Sequence, residues 1–293
     1  MNPSKTPYMS HPMRIVSLVP SLTEFLYDLG LDKQIVGRTR FCIHPKDRVD
    51  RAAIVGGTKY PNHARIAALR PDLVIANREE NRREDVEAIA AMGLPGGEEA
   101  VATDLSFEKE AATGASSKDI DGNNAPDILI TDIETIDQAL QEMIRIGIRC
   151  GREAEARRWV DDIQKRRPIR GGRAMIGTVY LIWKDPWMTI GHDTYIHSVL
   201  EEWGFRNLFG EHKRYPTVTL DEIRRLRPSC LLLSSEPYPF KEAHRAMLAE
   251  QMPGTAIRFI DGEWTSWYGS RMKQGFDSLT RFREEFERDM GMG

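Results

Sequence analysis

Cysteine is scarce in this chain: Cys42, Cys150 and Cys230 are three in 293 residues. They are too few and too scattered for a disulfide framework or a structural zinc module. No stretch approaches the length of a membrane span. Charge of one sign is missing too, with 41 basic against 44 acidic residues and a net charge of -3. A polyanion partner demands a clear basic excess, so nucleic acid is not expected. Catalytic signatures are absent as well: the chain has no G-x-S-x-G elbow, no P-loop and no G-x-G-x-x-G. Gly56-Gly57 is only a glycine pair before a Thr58-Lys59 loop. The N-terminus starts polar and reaches its first apolar run at Ile15, which reads as a strand rather than the core of a signal peptide. As written, the chain is expected in the cytoplasm, or in the periplasm if the true start lies upstream.

What the chain does have is a repeat. Residues 66–80 read IAALRPDLVIANREE and residues 223–237 read IRRLRPSCLLLSSEP. The alignment keeps Ile66/Ile223, Leu69/Leu226, Arg70/Arg227, Pro71/Pro228 and Glu79/Glu236 in register. Each copy is a helix end, a proline turn and a continuous apolar run, the mark of a buried parallel strand. An earlier pair agrees: RIVSLVP at 14–20 matches GTVYLIW at 177–183, and each precedes an amphipathic segment ending in glycine, Gly30 or Gly204. The fold class is therefore α/β, with two Rossmann-like lobes and a ligand cleft expected between them.

The domain reading follows. Residues 1–12 read as a disordered leader and 13–134 as an N-terminal lobe. Within that lobe, 96–126 is glycine-rich and acidic without apolar periodicity, a flexible insertion. Residues 135–168 carry a long helical pattern closed by Pro168, about 45–50 Å long, read either as a crossover packed on one lobe or as the linking backbone helix between the two, with Gly147 and Gly151 as interior breakers that could divide it. Residues 169–293 form the C-terminal lobe. Ser21 to Glu24 has the Ser-x-x-Glu pattern of a helix start.

Four ordered motifs then resemble a known family: SLVPSLTE at 17–24, VGGTKYPNHARIAALRPDLVIA at 55–76, MTIGHDTYIHSVLEEWGFRNLF at 188–209 and DGEWTSWYGSR at 261–271. Together they resemble the cobalamin and iron-siderophore binding proteins of ABC importers, the class III or helical-backbone metal receptor substrate-binding proteins. The resemblance implies two lobes joined by a single long helix, and a corrinoid or ferric chelate bound without catalysis and with no catalytic cofactor. It places the ligand-binding positions at Pro20, Ser21, Phe41, Thr58, Lys59, Tyr60, Trp183, Trp187, Trp264, Trp267, Tyr268 and Arg271. It also implies an acidic residue on each lobe for docking to a membrane permease. The second lobe has Asp221 and Glu222, but the first has Ala64 followed by Arg65, which argues against permease docking and for a soluble monomer.

The aromatic density of these loops suits a large, flat, partly apolar ligand, because rigid rings supply contact area at low entropic cost. Arg271 offers a planar fork of donors to ligand oxygens, or else pairs with Glu263. Arg38, Arg40 and Arg78 are further loop candidates. Glu79, Glu80 and Asn81 follow a strand end, where open sheets bind ligands, or cap the next helix. The only tempting metal sets are Cys42-x-His44 and His192-x4-His197, neither with zinc-module spacing, and Cys42, His44 and His192 could hold a metal if they face one cleft. Two other readings stay open. One is a cytosolic enzyme acting on a tetrapyrrole or metal chelate, with a His192/Asp193 pair, although Asp193-Thr194 also suits a helix cap. The other is a direct metal-ion binder.

Overall fold

The computed structural model describes residues 13–92, 125–169 and 174–292. The expected leader at 1–12 lies outside the described residues, as does nearly all of the 96–126 insertion. The chain divides into two compact units: one runs to Asp132 and includes Ile148–Arg152, and the other holds Ile133–Gly147 and Glu153 onward.

The first unit alternates strand and helix: β1 (Ile15–Ser17), α1 (Pro20–Asp28), β2 (Ile35–Arg38), β3 (Ala53–Ile54), α2 (His63–Ala68), β4 (Leu73–Asn77), α3 (Arg83–Ala90) and β5 (Asp127–Thr131). Its five strands are parallel, in the order β3-β2-β1-β4-β5. Every residue of β1 and β4 is buried, which is why both read as unbroken apolar runs. Helix α1 starts at Pro20 rather than through the expected Ser21 cap. Proline preorganises the first helical position, Val19 occupies the cap without a side-chain bond, and Ser21 is buried.

The linking segment is two helices, not one rod: α4 (Ile136–Arg149) and α5 (Glu153–Gln164). Gly151 sits between them at φ 65°, a left-handed conformation that glycine adopts without strain and that ends α4.

The second unit continues with β6 (Ile176–Leu181), β7 (Trp187–Met188), α6 (Tyr195–Glu202), β8 (Phe205–Asn207), β9 (Thr217–Val218), α7 (Leu220–Leu226), β10 (Cys230–Ser234), α8 (Glu242–Gln251), β11 (Ala256–Ile260), α9 (Gly262–Ser266) and α10 (Arg271–Asp289). Its main sheet is parallel, in the order β11-β10-β6-β8. Read from the other edge, β8-β6-β10-β11 follows the path of β2-β1-β4-β5, so the sequence repeat is a repeat of topology. Details agree. Ile66 and Ile223 are both fully buried. Arg70 and Arg227 both take left-handed φ values, 45° and 48°, which is uncommon outside glycine. Gly30 and Gly204 turn the chain at φ 76° and 77° before β2 and β8.

The apolar core of the second sheet gathers Val179, Leu181, Leu231, Leu233 and Ile257 with Ile223 and Leu248 from its helices. That of the first joins Val16, Leu18, Val74 and Ala76 to Ile66, Val86 and Ile89. Both cores hold the carboxyl ends of their strands level, so the loops leaving those ends share one edge of each sheet.

Candidate ligand-binding site

In the first lobe, the loops after β1, β2, β3 and β4 bring together most of the expected residues. Phe41 is 49% exposed and Tyr60 73% exposed, so both rings stand clear of the core. Arg40 lies over the Phe41 ring, 5.0 Å from its centroid, and Arg82 over Tyr60 at 4.5 Å. Two asparagines organise this edge. Asn77 Oδ1 accepts from the backbone N–H of Glu79 and Glu80, and Asn81 Nδ2 donates to the Thr58 carbonyl at 2.9 Å. Lys59 Nζ donates to the Glu79 carbonyl at 2.7 Å. Thr58 and Lys59 are thereby pinned to the loop after β4. Asn81 serves this tie instead of capping α3, whose cap position Arg82 makes no side-chain cap bond.

Arg82 is itself held. It grips Asp85 through Nε at 2.7 Å, and His63 Nε2 lies 2.9 Å from the same carboxylate. Burial pushes the Asp85 carboxyl up, but the Arg82 guanidinium and the His63 ring outweigh it and leave the group below its ordinary value. A depressed folded-state value means this stabilisation is present above the ordinary carboxylate range and is lost as pH falls through the folded one. Asp85→Asn is therefore expected to flatten the acid-side fall of Tm. Equal slopes in the variant and the parent chain would contradict this.

Several expectations need correcting here. Arg38 is not a ligand contact: it is 5% exposed and ties its own loop together, donating to the carbonyls of Val49 (2.8 Å) and Cys42 (3.0 Å) and to Asp50 (2.6 Å). Ser21 is 4% exposed and faces inward. Arg78 pairs with Asp132 at 3.0 Å. The Cys42 thiol is sealed in, accepting from Thr23 Oγ1 at 3.1 Å, and burial raises its acid midpoint. Cys42 and His44 belong to the first unit and His192 to the second. Among the described residues, no three His, Cys, Asp or Glu side chains are grouped to hold a metal.

In the second lobe the loops after β6, β10 and β11 form the corresponding edge. Trp183 is 39% exposed and meets Tyr238 edge-on at 5.4 Å. Tyr238 leans on Phe240 at 4.8 Å, and Phe240 stacks on Trp187 at 6.1 Å. Trp187 is placed by the β7–β9 ladder, where it pairs with Val218. Trp264 and Trp267 are partly exposed on and just after α9, whose cap Asp261 accepts from the Glu263 N–H. Arg271 lies 5.6 Å from the Trp267 centroid and 3.5 Å from Glu263, the acid pairing weighed from sequence. Tyr268 departs from expectation: it is 6% exposed and packs edge-on against Tyr195, so its ring belongs to the core. Beneath this edge the buried Tyr180 hydroxyl joins Ser234 and Thr265, and burial pushes it up to about 12.

Sequence reasoning missed Tyr238, Arg82 and the carboxylate of Glu236, which accepts from Trp267 Nε1 at 3.0 Å. Only Glu236 left a signal, its register with Glu79 in the repeat. A cavity of about 550 Å³ lies elsewhere in this lobe, lined by Glu134, His192, His197, Glu201 and Glu202 among others. Its acids are engaged: Glu201 accepts from the Asn207 N–H and Glu202 pairs with Arg167.

Known proteins share this fold. Residues 15–93 match the periplasmic binding protein family. The structure is similar to that of the periplasmic heme-binding protein RhuT from Roseiflexus sp. RS-1, with a TM-score of 0.70 at 17% identity over 94% of this chain and 99% of that one. The chain has the fold of a periplasmic binding protein. The periplasmic vitamin B12 binding protein BtuF of Vibrio cholerae is similar at a TM-score of 0.66 and 17% identity, over 92% of this chain and 96% of its own. In sequence, a vitamin B12-binding protein of Pectobacterium carotovorum is 22% identical over 270 residues, 89% of this chain and 84% of that protein. One from Pectobacterium atrosepticum is 33% identical over 86 residues, only 30% of its length. The resemblance read from the four motifs is borne out, and so is the two-lobed parallel α/β architecture of the periplasmic binding protein fold.

Proposed function

We propose that this chain binds one large, flat metal chelate (a corrinoid, haem or ferric siderophore) and leaves it chemically unchanged. The observation that carries this reading is the pair of aromatic edges: Phe41 and Tyr60 in one lobe, Trp183, Trp187, Trp264 and Trp267 in the other, each set on loops at the carboxyl ends of its own parallel sheet. Open parallel sheets bind ligands outside the carboxyl ends of their strands, and that is where both sets stand. Thr58, Lys59, Pro20 and Arg271 would supply polar and backbone contacts. The names of the relatives, for vitamin B12 and for heme, support the ligand class.

The enzyme reading draws no support from Asp193. Its carboxylate accepts from the Arg214 N–H at 2.5 Å and faces the Arg214 guanidinium, while Thr194 caps α6. Of the two locations raised by the sequence, the periplasm is the one that the names of the similar proteins favour. Permease docking stays outside this reading, because Glu222 closes the capping box of its own helix and Asp221 pairs with Arg224 at 2.9 Å. The test is a titration of purified chain with cyanocobalamin, hemin and a ferric siderophore. Binding quenches tryptophan fluorescence and raises Tm; no response to any of the three would refute it.

A further inference from the structure

Glu236 is a carboxylate built into the second lobe's aromatic edge against Trp267. It follows β10 by two residues, and Ser234 Oγ fixes its backbone by donating to its carbonyl at 2.6 Å. Its Oε1 accepts two hydrogen bonds, from Ser266 Oγ at 2.9 Å and from Trp267 Nε1 at 3.0 Å. Gly262 makes room for it, since a Cβ there would fall 2.4 Å from Glu236 Cγ. Its Oε2, by contrast, accepts from none of the described residues.

The surroundings do not neutralise it. The two charged groups facing it are Glu263 and Asp261, both acidic. The cations of this edge lie with other acids: Lys184 with Asp185 at 2.5 Å and Arg271 with Glu263 at 3.5 Å. Burial raises the Glu236 carboxyl above its ordinary value, the donors Ser266 and Trp267 pull it down in part, and Glu263 and Asp261 add to the rise. The Oε2 atom is not one of the buried acceptors left without a partner, so it is open to solvent. Its open oxygen is suited to a donor brought by the ligand.

We infer that Glu236 determines specificity, accepting an N–H from an uncharged, amide-edged chelate and repelling chelates edged with carboxylates or catecholates. This rests on the proposed function and narrows it to chelates of the corrinoid kind. Porphyrins such as hemin carry propionates, which Glu236, Asp261 and Glu263 would repel. The amides of cyanocobalamin are donors, and the molecule carries no net charge.

Glu236→Gln is the direct test, because the amide oxygen keeps Ser266 and Trp267 satisfied while an NH2 replaces the open acceptor. Cyanocobalamin is expected to bind the variant about tenfold more weakly or worse, and hemin more tightly than it binds the parent. If the variant does not fold, the parent chain alone decides: it should bind cyanocobalamin about tenfold tighter than the monocarboxylic acids made from it by amide hydrolysis. A parent that binds cyanocobalamin and its monocarboxylates equally, or prefers hemin, overturns the inference and leaves the proposed function standing. So does a variant with an unchanged preference. A parent that binds no chelate at all refutes the proposed function itself.

Discussion

Replacing Arg283 with leucine is expected to cost about 3–5 kcal/mol of stability, the range seen when a buried charge network loses its partner. Arg283 is fully buried on α10. Its Nη1 donates to the Gly204 carbonyl at 2.7 Å and to Trp203, its Nη2 to Ala174 at 2.7 Å, and its Nε to Glu287 at 2.9 Å. The guanidinium also lies 5.1 Å from the Phe205 centroid. One side chain thus satisfies the turn before β8 and the strand entry before β6. Leucine fills part of the volume but takes a donor from three carbonyls, of which Gly204 still accepts from the Ile176 N–H. For a chain of this size the loss corresponds to a Tm fall of roughly 6–20 °C. Arg283→Lys should rescue little, because one ammonium does not span the carbonyls that the planar fork reaches. Denaturant unfolding is the check, and a loss below about 1 kcal/mol would contradict this account of the second lobe.

Trp267→Ala should weaken chelate binding about 30-fold or more, roughly 2 kcal/mol, as expected for a central aromatic anchor. The indole is held on two sides, by Glu236 at its N–H and by the Arg271 guanidinium near its face. It therefore meets a ligand already ordered. Trp267→Phe keeps the ring but frees Glu236, and an intermediate loss is expected. Tyr60→Ala should cost less, because Tyr60 is far more exposed and shares its face with Arg82. Equilibrium titration with whichever chelate binds best, with Tm as the folding control, would show this order. An unchanged Kd for Trp267→Ala would remove Trp267 from the binding site.

Much of the fold was legible because its signals are local and apolar. β5, α7 and β10 have the bounds that periodicity and the proline turns indicate, and the repeat is realised as a shared sheet topology. What escaped was short or set by distant partners. β3, β7 and β9 are two residues each and exist through pairing with strands elsewhere in their own lobe. Breakage of the long helix was foreshadowed by Gly151, yet composition alone does not decide whether a glycine ends a helix. For the proposed site, aromatic density pointed to loops that stand at the carboxyl ends of the strands. It did not tell a standing ring from a packed one, as Tyr268 shows, nor a loop arginine open to ligand from one that ties its own loop, as Arg38 shows. Glu236 was visible only as a register match, since its role depends on Ser266, Trp267 and Gly262, which meet it only once the chain folds.

Isothermal titration of the intact chain with cyanocobalamin, with hemin and a ferric siderophore run in parallel, tests the central claim most directly. We expect saturable binding of about one chelate per chain with a Kd of about 1 μM or tighter for at least one of them. Absence of saturable heat and of fluorescence quenching for all three, with the chain folded throughout, would contradict it.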